Sequence, residues 1–538
     1  MSTLAALGGW LPFAIVALFI FFLSGAFTLR YQQKRRRDYL VTCVSTISLS
    51  LALLTAALLP TDITLVSFMK YQNGTYKDWA QNQTEREHLQ EYVRIGYYVL
   101  YGLVIVLAFF LNPFMYFYYE EKEEDEKLST HLCSAMKYTA GFLFFVLLLI
   151  LVGAFVPQLS KLPSSNSTEW DRFKYLIDHF DSSRVEDSIC FVIFSLSLVG
   201  FILSSIYTGY GSIGLPISFI RGRRSAKLQQ TEIEQQHTDI KNQINNLKNR
   251  VKNIYNYPRY VSMPAREKRM LDELEQQESV LCRNEESIRS VRSSILFKCR
   301  HIYRPFQIII GIILLCVALL IFLSLLLSNI DKSIHFVDFK QIFAQGNHTL
   351  PNPLDIVVTW TGKFYPANYI VLSCVLIYII LSSLYGLQQI GIYYFCVKMF
   401  RFSRGRTKPQ ALVILCSLLM FIVVAINIFV YLLMPQYTIY GDQQYSTMNF
   451  NGTNTVKPCT QYLDTNDCTM TVMGQILLRF LYKVWIFGAA YFIISWLYLA
   501  VFLFGCLYKI IRHRESNIQV YTVEHLLDDD EDEPLINS

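Results

Sequence analysis

The residues placed to do chemistry in this sequence suggest modification, cross-linking and sorting more than catalysis. Five Asn-x-Ser/Thr triplets, at Asn73, Asn82, Asn166, Asn347 and Asn451, would accept N-linked glycans if they face a lumen. Cys459 and Cys468 stand apart from the other ten cysteines, which are scattered along apolar stretches or predicted cytosolic segments. These two fall in a predicted lumenal loop and are expected to form a structural disulfide. Gln388 and Gln389, between Gly386 and Gly391, set two adjacent amides in an apolar stretch. They are candidates for a polar path, with interhelical hydrogen bonding as the alternative there and at Asn112-Pro113 and Asn427. Near the C-terminus, Glu531, Leu535 and Ile536 form an acidic dileucine pattern of the kind clathrin adaptors read, within an acidic run that could otherwise be a solvated tail.

The missing chemistry narrows the function. No Gly-x-x-x-x-Gly-Lys-Ser/Thr loop is present to hold nucleotide phosphates, and Gly222-Arg223-Arg224-Ser225 does not fit that pattern. His-Glu-x-x-His, Gly-x-Ser-x-Gly and paired Cys-x-x-Cys motifs are absent, and the nine histidines lack metal-ligand spacing. The sequence therefore offers no catalytic set and no metal site, and we read the chain as not an enzyme.

These residues sit between membrane-spanning elements. The chain has 538 residues, 53% hydrophobic and only 17% charged. Its apolar residues gather into blocks of about 20 or more, the length an α-helix needs to cross a ~30 Å hydrocarbon core. Unbroken runs such as Ile308 to Leu327 exclude the alternation of a β-barrel. The sequence thus predicts an all-α polytopic membrane protein with nine spans, near 8–29, 39–60, 95–117, 138–157, 188–208, 305–328, 368–395, 409–434 and 484–507. As drawn, no charged side chain lies within a span, so an ion-coupled engine is not expected. The net charge of +6 comes from residues flanking the spans; it marks topology and does not imply a nucleic-acid partner.

Lys34 to Arg37 after the first span set the N-terminus in the lumen and the C-terminus in the cytosol. All five glycosylation triplets then fall on the lumenal side. Residues 1–208 hold the first five spans, 209–304 a cytosolic segment, 305–508 the last four spans, and 509–538 an acidic cytosolic tail. The cytosolic segment carries heptad tracks at Ile233, Ile240, Leu247 and Ile254 and at Leu274, Leu281, Ile288 and Ile295, which predict a helical hairpin. Such a hairpin serves either as a connecting stalk or as a docking surface.

Several stretches resemble the limb-region-type (LMBR1-like) membrane proteins. They include Leu59-Pro60-Thr61-Asp62-Ile63, Tyr71-Gln72-Asn73-Gly74-Thr75, Asn112-Pro113 leading to Phe117-Tyr118-Tyr119-Glu120, and Arg404-Gly405-Arg406-Thr407-Lys408-Pro409. The resemblance runs from about residue 38 to 508. It implies a glycosylated multi-pass protein of the lysosomal membrane, also present in the endoplasmic reticulum in transit, at the plasma membrane and in clathrin-coated vesicles. It further implies a need for this protein in moving cobalamin from lysosome to cytosol, with cobalamin as transported ligand and no covalently bound cofactor. The partners it implies are a half-size ABC transporter and a clathrin adaptor, and a homo-oligomer is left open. Three roles follow: an escort and accessory subunit for the ATP-driven partner, a cobalamin carrier working through Gln388 and Gln389, or an endocytic receptor or adaptor. No cobalamin-binding residue can be carried over.

Overall fold

The structure, a computed structural model, describes residues 3–32, 38–71, 73–120, 128–159, 183–222, isolated positions between 235 and 246, 300–334, 350–362, 367–394, 397–400, 407, 409–448, 454–459 and 468–511. Among them, nine helical stretches are long and apolar enough to cross a membrane. In chain order the helices are α1 (Thr3–Tyr31), α2 (Tyr39–Ser67), α3 (Gln83–Val106), α4 (Asn112–Glu120), α5 (Leu128–Leu159), α6 (Ser183–Arg221) and α7 (Arg300–Ile334). Then follow α8 (Pro353–Thr361), α9 (Ala367–Ile390), α10 (Pro409–Leu433), α11 (Pro435–Tyr440), α12 (Val472–Lys483) and α13 (Trp485–Ile511). A π-turn at Leu107–Leu111 joins α3 to α4, so the two form one long span. Two short antiparallel ribbons complete the fold: β1 (Ile392–Tyr394) with β2 (Val397–Phe400), and β3 (Gln444–Met448) with β4 (Asn454–Pro458).

The residues fall into two compact units. The first comprises Met1–Gly214 and Cys316–Tyr508. Its central helix is α10, buried nearly all round and packed along α2. Lipid is as apolar as leucine, so close packing and interhelical hydrogen bonds must hold such helices together, favouring small residues at the contacts. That is what α6 shows. A β-carbon on Gly200 would strike the Phe421 carbonyl of α10, one on Gly211 the Ser382 carbonyl of α9, and one on Gly386 the Tyr207 carbonyl of α6. Beside these contacts Thr208 and Ser383 share a hydrogen bond of 2.7 Å, and the Tyr378 hydroxyl donates to the Ser212 carbonyl at 2.6 Å.

The second unit comprises Leu215–Leu315 and Lys509–Ser538. In its described part the Arg304 guanidinium donates to the Ile220 carbonyl at 2.8 Å, and Arg221 donates to the Ile510 carbonyl at 3.1 Å. Both arginines thereby serve carbonyls that a helix C-terminus leaves without intrahelical partners. The heptad tracks of the expected hairpin and the tail residues Glu531, Leu535 and Ile536 lie outside the described residues.

Several span limits move. Helix α6 runs on to Arg221, past the expected end at 208, and α9 stops at Ile390, short of 395, where Gly391 (φ +79°) turns the chain into β1. Helix α7 extends through Asp331 and Lys332. Helix α2 continues through Pro60 to Ser67: Thr64 Oγ1 donates to the Pro60 carbonyl at 2.7 Å, although proline removes one backbone donor. The expectation of charge-free spans is therefore corrected, since Asp62 is buried within α2.

Candidate functional site

Polar side chains of the first unit meet along one face of α2. Ser45, Ser48, Thr55 and Asp62 are spaced by three, seven and seven residues, which at 3.6 residues per turn confines them to an arc of about 100°. All four are buried. From Ser45 to Asp62 the stripe climbs roughly 25 Å, most of the thickness of a hydrocarbon core. Its partners come from other helices. Ser48 Oγ donates to Asn112 Oδ1 at 2.9 Å, just past the π-turn. Asn427 of α10 donates through Nδ2 to the Tyr101 hydroxyl at 2.7 Å and to the Thr55 carbonyl at 3.4 Å. Asp62 accepts the backbone N–H groups of Val472 at 3.2 Å and Met473 at 2.9 Å. Its carboxylate thus caps the N-terminus of α12, where unsatisfied donors and the helix dipole favour negative charge.

The same device recurs outside the spans, on the side of the sequence carrying the glycosylation triplets. Here the 68–80 loop, α8, α11, the β3–β4 ribbon and α12 form a cap. Asp355, in the first turn of α8, accepts the Tyr437 N–H of α11 at 3.3 Å. Burial pushes its carboxyl up to about 7, against the opposing pull of that bond and of one from the Gln436 N–H. Burial likewise raises the Tyr437 hydroxyl and lowers Lys77. Gln443 ties the cap together: its Nε2 donates to the Tyr440 and Thr469 carbonyls at 3.0 and 2.6 Å, and its Oε1 accepts Thr469 N–H at 3.1 Å. The Cys459 and Cys468 sulfurs are bonded, with Cα atoms 6.2 Å apart.

A cavity of about 570 Å³ opens in this cap, with Asp331, Asp355, Asp442, Trp360 and Gln436 among its walls. Carboxylates, an amide and an indole suit a polar ligand rich in hydrogen-bond donors. Among the described residues no group of three His, Cys, Asp or Glu side chains is arranged to hold a metal ion.

The expected site residues are dispersed. Gln388 and Gln389 lie in the last turn of α9, next to the end of the helix at Ile390; Gln388 donates to the Tyr31 hydroxyl, and Gln389 is exposed. Asn73 is exposed, and its Oδ1 accepts Thr75 N–H at 3.2 Å and the Thr75 hydroxyl at 2.7 Å. Asn82, also exposed, is the residue preceding α3. Asn166, Asn347 and Asn451 lie outside the described residues. The polar face of α2 escaped the sequence reading because serine and threonine pass unnoticed among apolar residues and Pro60 looked like a helix end. The three, seven, seven spacing was the signal that could have found it.

Comparison with known proteins bears on the whole chain. The sequence pattern of the LMBR1-like membrane protein family matches residues 10–299. The chain is 35% identical to the probable lysosomal cobalamin transporter of Nematostella vectensis, over 98% of both chains. It is 36% identical to the lysosomal cobalamin transport escort protein LMBD1 of Bos taurus and of Homo sapiens, over 98% of this chain and 97% of each relative. No solved structure matches.

Proposed function

Because this chain belongs to the LMBR1-like membrane protein family, we propose that it is a multi-pass protein of the lysosomal membrane required for cobalamin to leave the lysosome, acting as escort and accessory subunit of a half-size ABC transporter. The observation carrying this reading is the end-to-end match to proteins named for lysosomal cobalamin transport. Two features support a subunit over a conduit. Side chains fill the centre of the bundle around α10, and the sequence has no phosphate-binding loop of its own. On this reading the cap faces the lumen, with glycans on Asn73, Asn82, Asn166, Asn347 and Asn451. Glu531, Leu535 and Ile536 engage a clathrin adaptor from the cytosol, with passage through the endoplasmic reticulum and the plasma membrane.

Cobalamin flux into proteoliposomes holding only the purified chain tests the division of labour. The expected result is no saturable flux until the ATP-driven partner and ATP are added. Saturable flux from this chain alone would overturn the escort role and make it a carrier.

A further inference from the structure

Buried side-chain polar atoms almost always have hydrogen-bond partners, and each exception calls for an explanation. Four such exceptions gather around one face of α2. Asn112 Nδ2, Asn427 Oδ1 and the Tyr97 hydroxyl have no hydrogen-bond partner in the protein, and Ser45 Oγ has only the Cys416 thiol, a weak partner, beside it. All four residues are at least nine-tenths buried. Their neighbours are fully engaged: Ser48 with Asn112 Oδ1, Tyr101 and the Thr55 carbonyl with Asn427 Nδ2, and Asp62 with Val472 and Met473. Leaving a buried polar atom unmade costs about 1–3 kcal/mol, and no bulk water reaches the hydrocarbon core to make up the loss.

The signs of these four atoms identify what satisfies them. Asn112 Nδ2 can only donate, Asn427 Oδ1 can only accept, and the hydroxyls of Ser45 and Tyr97 do either. A cation would serve Asn427 and oppose Asn112; an anion would do the reverse. Water donates and accepts, and so fits both. We propose that the polar face of α2 binds individual water molecules at two stations: one at Ser45 and Asn112, the other at Asn427 and Tyr97, below Asp62. Ala52 lies on this arc between Ser48 and Thr55, but Leu59, a large and fully buried side chain, falls on it between Thr55 and Asp62, so the arc is not an open path from end to end.

Radiolytic hydroxyl labelling in water enriched in oxygen-18 tests this directly, because bound water seeds radicals beside the side chains it touches. The purified full chain in lipid nanodiscs carries its own reference. Tyr491 is as buried as Tyr97, but its hydroxyl donates to the Phe194 carbonyl at 2.9 Å. The expected result is oxygen-18 incorporation at Tyr97 and Tyr101 at least fivefold faster than at Tyr491. Equal rates at the three tyrosines would overturn the proposal at the Asn427 and Tyr97 station. Asn427→Leu, which removes the acceptor, is expected to bring Tyr101 down to the Tyr491 rate while Tyr491 stays unchanged. If Tyr101 stays fast in that variant, the station at Asn427 is wrong. Should the variant fail to fold, the wild-type ratio decides alone.

Discussion

The cap and the polar face of α2 use the same residue types to opposite effect. In the cap, Gln443 spends both ends of its amide on backbone partners, and Asp355 takes up donors at the start of α11. Along α2, Asn427 and Asn112 each leave one end of theirs without a protein partner. A polar group that closes on backbone fixes the position of one segment against another; one left half open calls for a further partner. The cap is therefore the more closed of the two, with Thr438 Oγ1 of α11 also left without a partner there, and the α2 face the more open. Asp62 belongs to both, since it stands on the stripe yet closes on α12.

That double membership gives the largest expected effect. Asp62→Leu strips two buried N–H groups of α12 of their acceptor and should cost about 3–5 kcal/mol, measured as the shift in denaturant-induced unfolding in detergent. A loss below about 1 kcal/mol would place Asp62 with the open face and erase the contrast. Next comes Asp355, whose folded-state carboxyl lies near 7, above its unfolded value. The folded state then holds the proton more tightly than the unfolded chain does. Stability from this group is full below about pH 4 and is lost as pH rises toward 7. From about pH 5 to about pH 7.5 the native protein should lose about 2 kcal/mol that Asp355→Asn does not lose, read as parallel thermal melts of the two proteins. Identical pH slopes would show that the cap does not bury this charge. The smallest effect sharpens the other side. Tyr97→Phe removes a hydroxyl that has no protein partner; if water serves it, the variant melts lower by about 1 kcal/mol, whereas a truly bare hydroxyl predicts a gain on its removal.

Much of this was legible in the sequence, unevenly. The nine spans found among the described residues follow from apolar length alone, because a helix crossing lipid has no alternative way to satisfy its backbone. Cys459 and Cys468 stood out by isolation. Span ends were less legible, since Pro60 reads as a stop, yet α2 continues past it with Thr64 bonded to the Pro60 carbonyl. Gln388 and Gln389 fall inside the expected span 368–395 for the same reason in reverse: the apolar run outlasts the helix, which Gly391 ends. The cap was least legible. Its short elements depend on contacts far apart in the chain, such as Lys70 Nζ to the Gln444 carbonyl at 3.2 Å and Gln90 Nε2 to the Met470 carbonyl at 2.8 Å, which leave no local periodicity.

The glycines of α6 and α9 carry a mechanical consequence. Where Gly211 meets the Ser382 carbonyl and Gly386 the Tyr207 carbonyl, two spans touch main chain to main chain, with no side chains between them to flex. Such a joint leaves no space for a side chain: a single methyl would strike the facing carbonyl and wedge the helices apart. Helix α5 presents Phe144, Phe145, Leu147 and Leu148 outward and can shift by exchanging side-chain contacts for lipid. A movement of α5 against lipid thus meets less resistance than one that parts the α6–α9 pair.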